Sequence, residues 1–286
     1  MSLDSGSDIL SQREFFALVE QALPDGCVDL GGQRVELLEP LTVGGSSRIR
    51  ISNGIVSGSG HSLFQVSLNR AGLFELSDLT LLHWPSPERA AKRSLGSALF
   101  VRGKSSVALH RCEITSQAGF GVWLVQKASA LLCDCTLPGC GRSSVVAFDQ
   151  SRVECDGTSI TDASPHALCA RGHSRVRVRR SRICRAYDRA IYCYHSSSLE
   201  VADSVISGTR SKATAAVQID ALRPGDAATL TIARTIFESN AGGDLSVSGN
   251  VARSIGAEVR VVERQAEQFG LASASVRDAS GELQGM

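Results

Sequence analysis

Four stretches of the chain fall on one ruler of twenty-three residues, and a fifth begins at Leu199. Apolar anchors sit at Val107, Ala130, Val153, Val176 and Leu199, and a second apolar position follows two residues later at Leu109, Leu132, Cys155, Val178 and Val201. Next comes a column of small residues, Cys112, Cys135, Thr158, Ser181 and Ser204, and then Ile114, Leu137, Ile160, Ile183 and Ile206. A unit of this length cannot bury its apolar side chains alone. It must stack on its neighbours, and the stack is a solenoid. Within each unit the apolar residues alternate with period two, so the stacked elements are strands. The whole chain has room for about nine or ten such coils.

The expected fold is all-β, a single-stranded parallel β-helix with an N-terminal capping helix. Ser11 followed by Glu14 forms a capping box, and Phe15, Phe16, Val19, Ala22 and Leu23 give the helix over 11–23 one apolar face. That face suits the open end of a solenoid, which otherwise exposes strand edges. Residues 1–10 read as a disordered lead and 11–262 as one β-helix domain. Residues 263–286 read as a C-terminal capping segment and tail. Two insertions interrupt the ruler, His83–Gly96 and Leu222–Ala227.

Each coil carries a second strand after a short corner. Alternation turns Val122/Leu124, Val145/Ala147, Leu168/Ala170 and Ile191/Cys193 inward. It turns Trp123/Val125, Val146/Phe148, Cys169/Arg171, Tyr192/Tyr194 and Val217/Ile219 outward. An outer face that meets only water should be polar, yet this one is apolar for three coils and then mixed.

Formal net charge is +1, which gives no global field for nucleic acid or a membrane surface. The dense run Arg171, Arg175, Arg177, Arg179, Arg180, Arg182, Arg185 and Arg189 resembles a polyanion patch when read linearly. Read on the ruler, it meets Glu154, Asp156, Glu200 and Asp203 on neighbouring coils and becomes a charge ladder. Arg152 above Arg175 is the unmatched exception. The column His110, Cys133, Asp156, Arg179 lies on a flat sheet and lacks the convergent ligands that zinc requires, so no metal is expected. The nine cysteines are odd in number and partly inward, and no basic-then-apolar leader opens the sequence. Both features point to a reducing, cytoplasmic compartment without obligatory disulfides. No apolar run is long enough for a membrane span.

The opening Ala22-Leu23-Pro24-Asp25-Gly26 and Val28-Asp29-Leu30-Gly31-Gly32, with the inner pattern Gly121-Val122-Trp123-Leu124 and its equivalents, resembles the right-handed parallel β-helix, or pectin lyase-like, superfamily over roughly residues 11–250. The resemblance implies a right-handed coil. It leaves activity open, because the superfamily spans lyases, polygalacturonases, epimerases, tailspikes and protein-binding domains. The aspartate clusters of polygalacturonases and the acidic calcium sites of pectate lyases have no counterpart here.

The outer side of the second strands is the best candidate site. Tyr192 and Tyr194 should both face out beside Arg171, with Phe148 beyond. Asp149, His195 and Asp220 are taken as equivalent strand ends, with Gly172 leaving a gap between the first two. The 83–96 insertion brings Trp84 to the same corner stack, together with Glu88, Arg89, Lys92 and Arg93. For proton removal beside a carboxylate, His195 or Tyr192 would be the base and Arg171 or Arg189 the electrostatic partner. Asp188 is the remaining acidic candidate. A hydrolytic pair is poorly supplied, since Asp149 and Asp220 would lie roughly 14 Å apart by coil spacing. Expected ligand contacts are Tyr192, Tyr194, Arg171, Trp123, Phe148, Asp149, Asp220 and Trp84. The leading functional expectation is a non-catalytic intracellular domain that binds a protein or a glycan. Its alternative is a lyase or epimerase acting on a uronate-containing polysaccharide. The partner is thus a protein, an oligosaccharide or a second copy of the chain. Nucleic acid, membrane and cofactor are not expected.

Overall fold

The computed structural model describes residues 9–84, 96–117, 119–256 and 259–262, with backbone alone over 260–262. The chain is an all-β, right-handed, single-stranded parallel solenoid of about ten turns, preceded by one helix. Every strand pairing is parallel, from Ile9↔Arg34 at one end to Ile236↔Arg260 at the other. The register is the one the ruler requires, with Val107↔Ala130↔Val153↔Val176↔Leu199 stacked in line. All five are buried, as are Ile114, Leu137, Ile160, Ile183 and Ile206.

Each coil has three strands. In one regular coil these are Ser129–Cys133, Thr136–Pro138 and Val145–Ala147. Between the first two lie two residues, the first of them with left-handed backbone. The stack of these positions reads Asn53, Asp78, Arg111, Asp134, Gly157, Arg180, Asp203 and Arg234, all with φ between 43° and 61°. Asparagine and aspartate tolerate this region best, and one glycine adopts it freely. The arginines there are tied down by carboxylates. Arg111 grips Asp78 through Nε and Nη2, both at 2.7 Å, Arg180 reaches back to Asp156, and Arg234 bonds Asp203. Arg177 and Arg179 share Glu200 at 2.9 and 2.7 Å. The charge ladder is therefore real, although Arg111 and Arg180 pair with Asp78 and Asp156 on the preceding coil.

The small column after this corner is structural too. Thr158 Oγ1 donates to the carbonyl of Leu132 at 3.0 Å, and Ser181 Oγ to that of Arg179 at 2.6 Å. The amides of Thr158 and Ser181 donate in turn to the hydroxyls of Ser181 and Ser204. Cys112 and Cys135 fill the same column as buried thiols, and Cys135 Sγ lies 3.4 Å from the Leu109 carbonyl. All nine cysteines are free.

The helix Gln12–Ala22 carries the expected capping box, Ser11 accepting from the Glu14 amide and Glu14 accepting from that of Ser11. Phe15 and Val19 are buried and join the core of the first coils. Ile9–Leu10, placed by sequence in the disordered lead, instead form a short strand beside Arg34 and Val35. The proposed cap at 263–286 and most of the 83–96 insertion lie outside the described residues.

Ile183→Asp puts an unpaired carboxylate into a position that is 1 % exposed. Such burial costs about 4 kcal/mol, which lowers Tm by about 10 °C in a domain of this size. Ile183→Val should cost about 1 kcal/mol. Thermal melts of both variants check the assignment, and an Asp variant that melts with the parent would mean the side chain faces solvent.

Candidate functional site

The second sheet has nine strands, and its inner and outer faces are set by register. Val122, Leu124, Val145, Ala147, Leu168, Ala170, Ile191 and Cys193 are buried, as the alternation required. One outward column then runs Phe100, Trp123, Val146, Cys169, Tyr192, Gln218. The next holds Arg171, Tyr194 and Asp220.

The last outward pair differs from the sequence expectation. Ile191 pairs with Val217, and Tyr194, not His195, pairs with Asp220. Val217 and Ile219 are therefore inside and fully buried, while Gln218 and Asp220 face out. The cause is three extra residues between Ser207 and Val217, which take the offset from 23 at Cys184↔Ser207 to 26 at Ile191↔Val217, so that a count of 25 leaves the strand one residue out of step. A one-residue slip exchanges the two faces of a strand. Asp220 is thus no equivalent of Asp149 and His195. Those two belong to a corner column of left-handed residues with Gln126 and Gly172, at φ of 63°, 64°, 65° and 78° respectively. Asp149 serves that corner by accepting from the Gln126 amide at 2.8 Å. Gly172 is fixed by crowding, since a Cβ there would lie 2.9 Å from the Asp149 carbonyl oxygen.

Around Tyr192 the chain assembles a dense polar group. The Tyr192 hydroxyl donates to Asp220 Oδ2 at 3.1 Å, and Gln218 Nε2 donates to the same oxygen at 2.9 Å. Arg189 lies over the Tyr192 ring at 4.5 Å, donates to Gln218 Oε1, and pairs with Asp188. Asp188 holds Arg189 through Oδ2, and its Oδ1 accepts from Thr214, so both oxygens are engaged. Burial and the Asp220 carboxylate push the Tyr192 phenol up to about 12, so it stays protonated.

Tyr194 stacks on Tyr192 at 5.0 Å and carries the second group. Arg171 lies 5.6 Å above the Tyr194 ring, and His195 meets the same ring edge-on at 4.9 Å. No described carboxylate pairs with Arg171. Burial and then the nearby Arg223 hold His195 below the usual histidine range, which keeps the imidazole neutral.

Trp123 and Phe148 are not part of this arrangement. Trp123 packs with Phe100 at 5.0 Å and Phe120 at 5.3 Å. It stands three coils from Tyr192, roughly 14 Å by strand spacing. Phe148 is half-buried one coil before Arg171. Trp84 is half-buried, its amide bonded to the Gly58 carbonyl, and Glu88, Arg89, Lys92 and Arg93 lie outside the described residues.

His166 also belongs to this group. Its ring is 5.3 Å from that of Tyr192, and its Nδ1 is 3.7 Å from Asp188, too far for a hydrogen bond. Sequence reasoning missed Gln218, Arg223 and Asp226. The insertion itself was the available signal, because extra residues at a corner lie beside the neighbouring strand ends. Among the described residues no three metal-ligating side chains cluster.

The family model "Right handed beta helix region" matches residues 39–218 and 97–259, and the chain belongs to that family. No curated protein matches it. Among solved structures it is similar to the periplasmic alginate epimerase AlgG, at 10% identity and a TM-score of 0.36, over 90% of this chain and 84% of that one. At that identity the likeness is one of fold, and the activity and compartment in that title belong to that protein. It runs against two expectations from sequence, a non-catalytic binding domain and a cytoplasmic location, and both are withdrawn. No described helix is long and apolar enough to cross a membrane.

His166 generates a pH signature. Burial, then the Arg189 charge, lowers it to about 4 from an ordinary 6.5. Above pH 6.5 the ring is neutral folded and unfolded, so it contributes nothing to the pH dependence. Between 6.5 and 4 the unfolded chain binds a proton that the folded chain refuses, and stability falls by up to about 3 kcal/mol. Urea titrations at pH 7 and pH 4 should show the parent losing that much more than His166→Asn. Equal losses would mean the ring is open to solvent.

Proposed function

We propose that the outer face of the second sheet binds a uronate-containing polysaccharide and removes the ring proton beside a carboxylate, the first step of either elimination or epimerisation. The observation that carries this reading is Arg171. Arg189 is already engaged by Asp188 and Gln218, whereas Arg171 rests on Tyr194 with no carboxylate partner among the described residues. It is the available cation beside a neutral histidine.

The roles follow from charge. Arg171 pairs with the substrate carboxylate, which lowers the cost of the charge that builds there. Neutral His195 accepts the proton on C5, and the C–H electron pair passes into the carboxylate as an enolate. Elimination then expels the oxygen on C4 and leaves a ring double bond. Epimerisation instead returns a proton to the opposite face of C5, and the protonated Tyr192 is the nearby donor. The stacked rings of Tyr192 and Tyr194 give a flat apolar platform for a sugar ring. Hydrolysis has weaker support, because Asp188 and Asp220 are both held by neighbours.

Polymannuronate and polygalacturonate are the substrates to test. Exchange of solvent deuterium into C5, read by NMR, reports the first step whichever product follows, and ultraviolet absorbance separates elimination from epimerisation. His195→Ala and Arg171→Ala should each lower the rate at least about a hundredfold. The parent rate should rise with pH through a value below 6.5 and then level off, because protonated His195 is inactive. Tyr192→Ala with Tyr194→Ala should keep the parent Tm and lose turnover. Neither exchange nor product on either polymer would refute the assignment.

A further inference from the structure

A second surface lies around the corner from this site, on the outer face of the first sheet. A shallow trough of about 840 Å³ crosses the strands there, floored by Ser106, Ala108 and Ser129. Its edge, a hollow of about 560 Å³, is rimmed by Arg70, Lys104, Lys127, Arg152 and Arg175, with His173 beside them. All six side chains are exposed. They stand on five consecutive coils, one cation to a coil, with His173 as an addition on the last. Two residues further along the strands, Glu154 and Glu200 face the trough, and Glu200 is engaged by Arg177 and Arg179.

The rim differs from the charge ladder carried by other arginines of the solenoid. Arg50, Arg111, Arg177, Arg179, Arg180, Arg185, Arg210 and Arg234 are all ion-paired. None of the five rim cations pairs with a described carboxylate. Arg152 is the register neighbour of Arg175, and Lys127 stacks on Lys104, since Ser129 pairs with Ser106. Like charges directly opposed between strands repel. The rim carries one positive charge on each coil, about 4.8 Å apart along the solenoid and, from Lys104 to Arg175, divided between two columns two residues apart, and gains nothing internally from them. An anion repeating at that step would remove the repulsion along the whole line.

We propose that this trough binds a linear polyuronate lengthwise, with one carboxylate facing each coil. A chain of 1,4-linked uronates carries one charge per ring, and its ring repeat is close to the strand spacing. Duplex DNA carries one phosphate per about 1.7 Å of axis, a density this ladder does not match. The track ends beside the first site, because Arg171 precedes His173 by two residues and Arg175 by four. Choosing a uronate as the anion rests on the reading of Arg171 and His195; the existence of an anion track does not.

Calorimetric titration with polymannuronate, and with its oligomers of increasing length, tests the proposal on the full chain. Affinity should rise with each added ring and level off near five, the number of rim cations. The Lys127→Ala, Arg152→Ala, Arg175→Ala variant alters exposed positions and should keep the parent Tm. It should lose about tenfold or more in affinity, and its log–log salt slope should fall by about 2. Arg152→Lys with Arg175→Lys should retain binding. His195→Ala should abolish turnover without changing affinity. Binding without turnover in the parent would therefore sink the catalytic reading and leave the track standing. The track is overturned if the parent fails to bind, if the triple variant binds as the parent does, if a neutral oligosaccharide binds equally well, or if single-stranded DNA binds more tightly.

Discussion

The structure depends on parallel, in-register pairing of one coil with the next. Each coil shares almost all its backbone hydrogen bonds with its two neighbours, and almost none are internal. A side chain's partners are therefore the residues one repeat before and after it. Everything periodic follows from this: the buried isoleucine and leucine columns, the hydroxyl column that caps the corner amides, and the left-handed corner stack. The left-handed corner also explains the charges. Arginine is a poor occupant of that backbone region, yet Arg111, Arg180 and Arg234 sit in it because each is anchored to an aspartate on the preceding coil. The salt bridges are exposed, so they contribute less to stability than to register, which they fix by penalising every misaligned stacking.

This dependence also says where function can sit. A substitution in an inward column disturbs three coils at once, so variation is confined to outward columns and to corners that tolerate insertion. The Tyr192 and Tyr194 group lies where both freedoms meet. Its outward columns supply Arg171, Tyr192, Tyr194, Gln218 and Asp220, and the enlarged corner after Ala221 supplies Arg223 and Asp226 beside His195. Within it, the arginines divide the labour. Arg189 is spent on Asp188, Gln218 and the Tyr192 ring, and this rigid group fixes the platform. Arg171 rests on the Tyr194 ring with no described carboxylate partner.

The fold was legible because the ruler survives across four repeats without error, and period-two alternation then assigns every inward position from Val107 to Ile206. Legibility ended where the period did. The pairing Ile191↔Val217 spans twenty-six residues, and counting across it with the wrong offset placed Val217 and Ile219 outside and aligned Asp220 with His195. The local signal pointed the other way, because Val217-Gln218-Ile219-Asp220 buries its apolar pair and exposes its polar pair only in the observed facing, and the count across the enlarged corner overrode it. His166 was hidden for a different reason. It opens the strand His166–Arg171 and keeps the ruler by pairing with Arg189, but only the folded chain shows its ring against Tyr192. Trp123 erred the other way: an outward tryptophan in a Tyr-bearing column suggested one surface, but three coils separate it from Tyr192.

The two arginine populations on the first sheet give the last step. Paired arginines are explained by the fold, since each has a carboxylate one coil away and secures alignment. Arg152 and Arg175 cannot be explained so, because stacked like charges oppose the alignment that the paired columns favour. Their neighbours on the same column are Ser106, Ser129 and Ser198, small uncharged residues that the stack accepts at no electrostatic cost. The cations are therefore a departure that the solenoid tolerates, concentrated at one corner and continued by Lys104 and Lys127. That corner turns directly into the strand end bearing Arg171 and His195. A chain with one negative charge per coil would meet the ladder and the proton-accepting histidine along one continuous path, which ties the unpaired charge of one sheet to the chemistry proposed for the other.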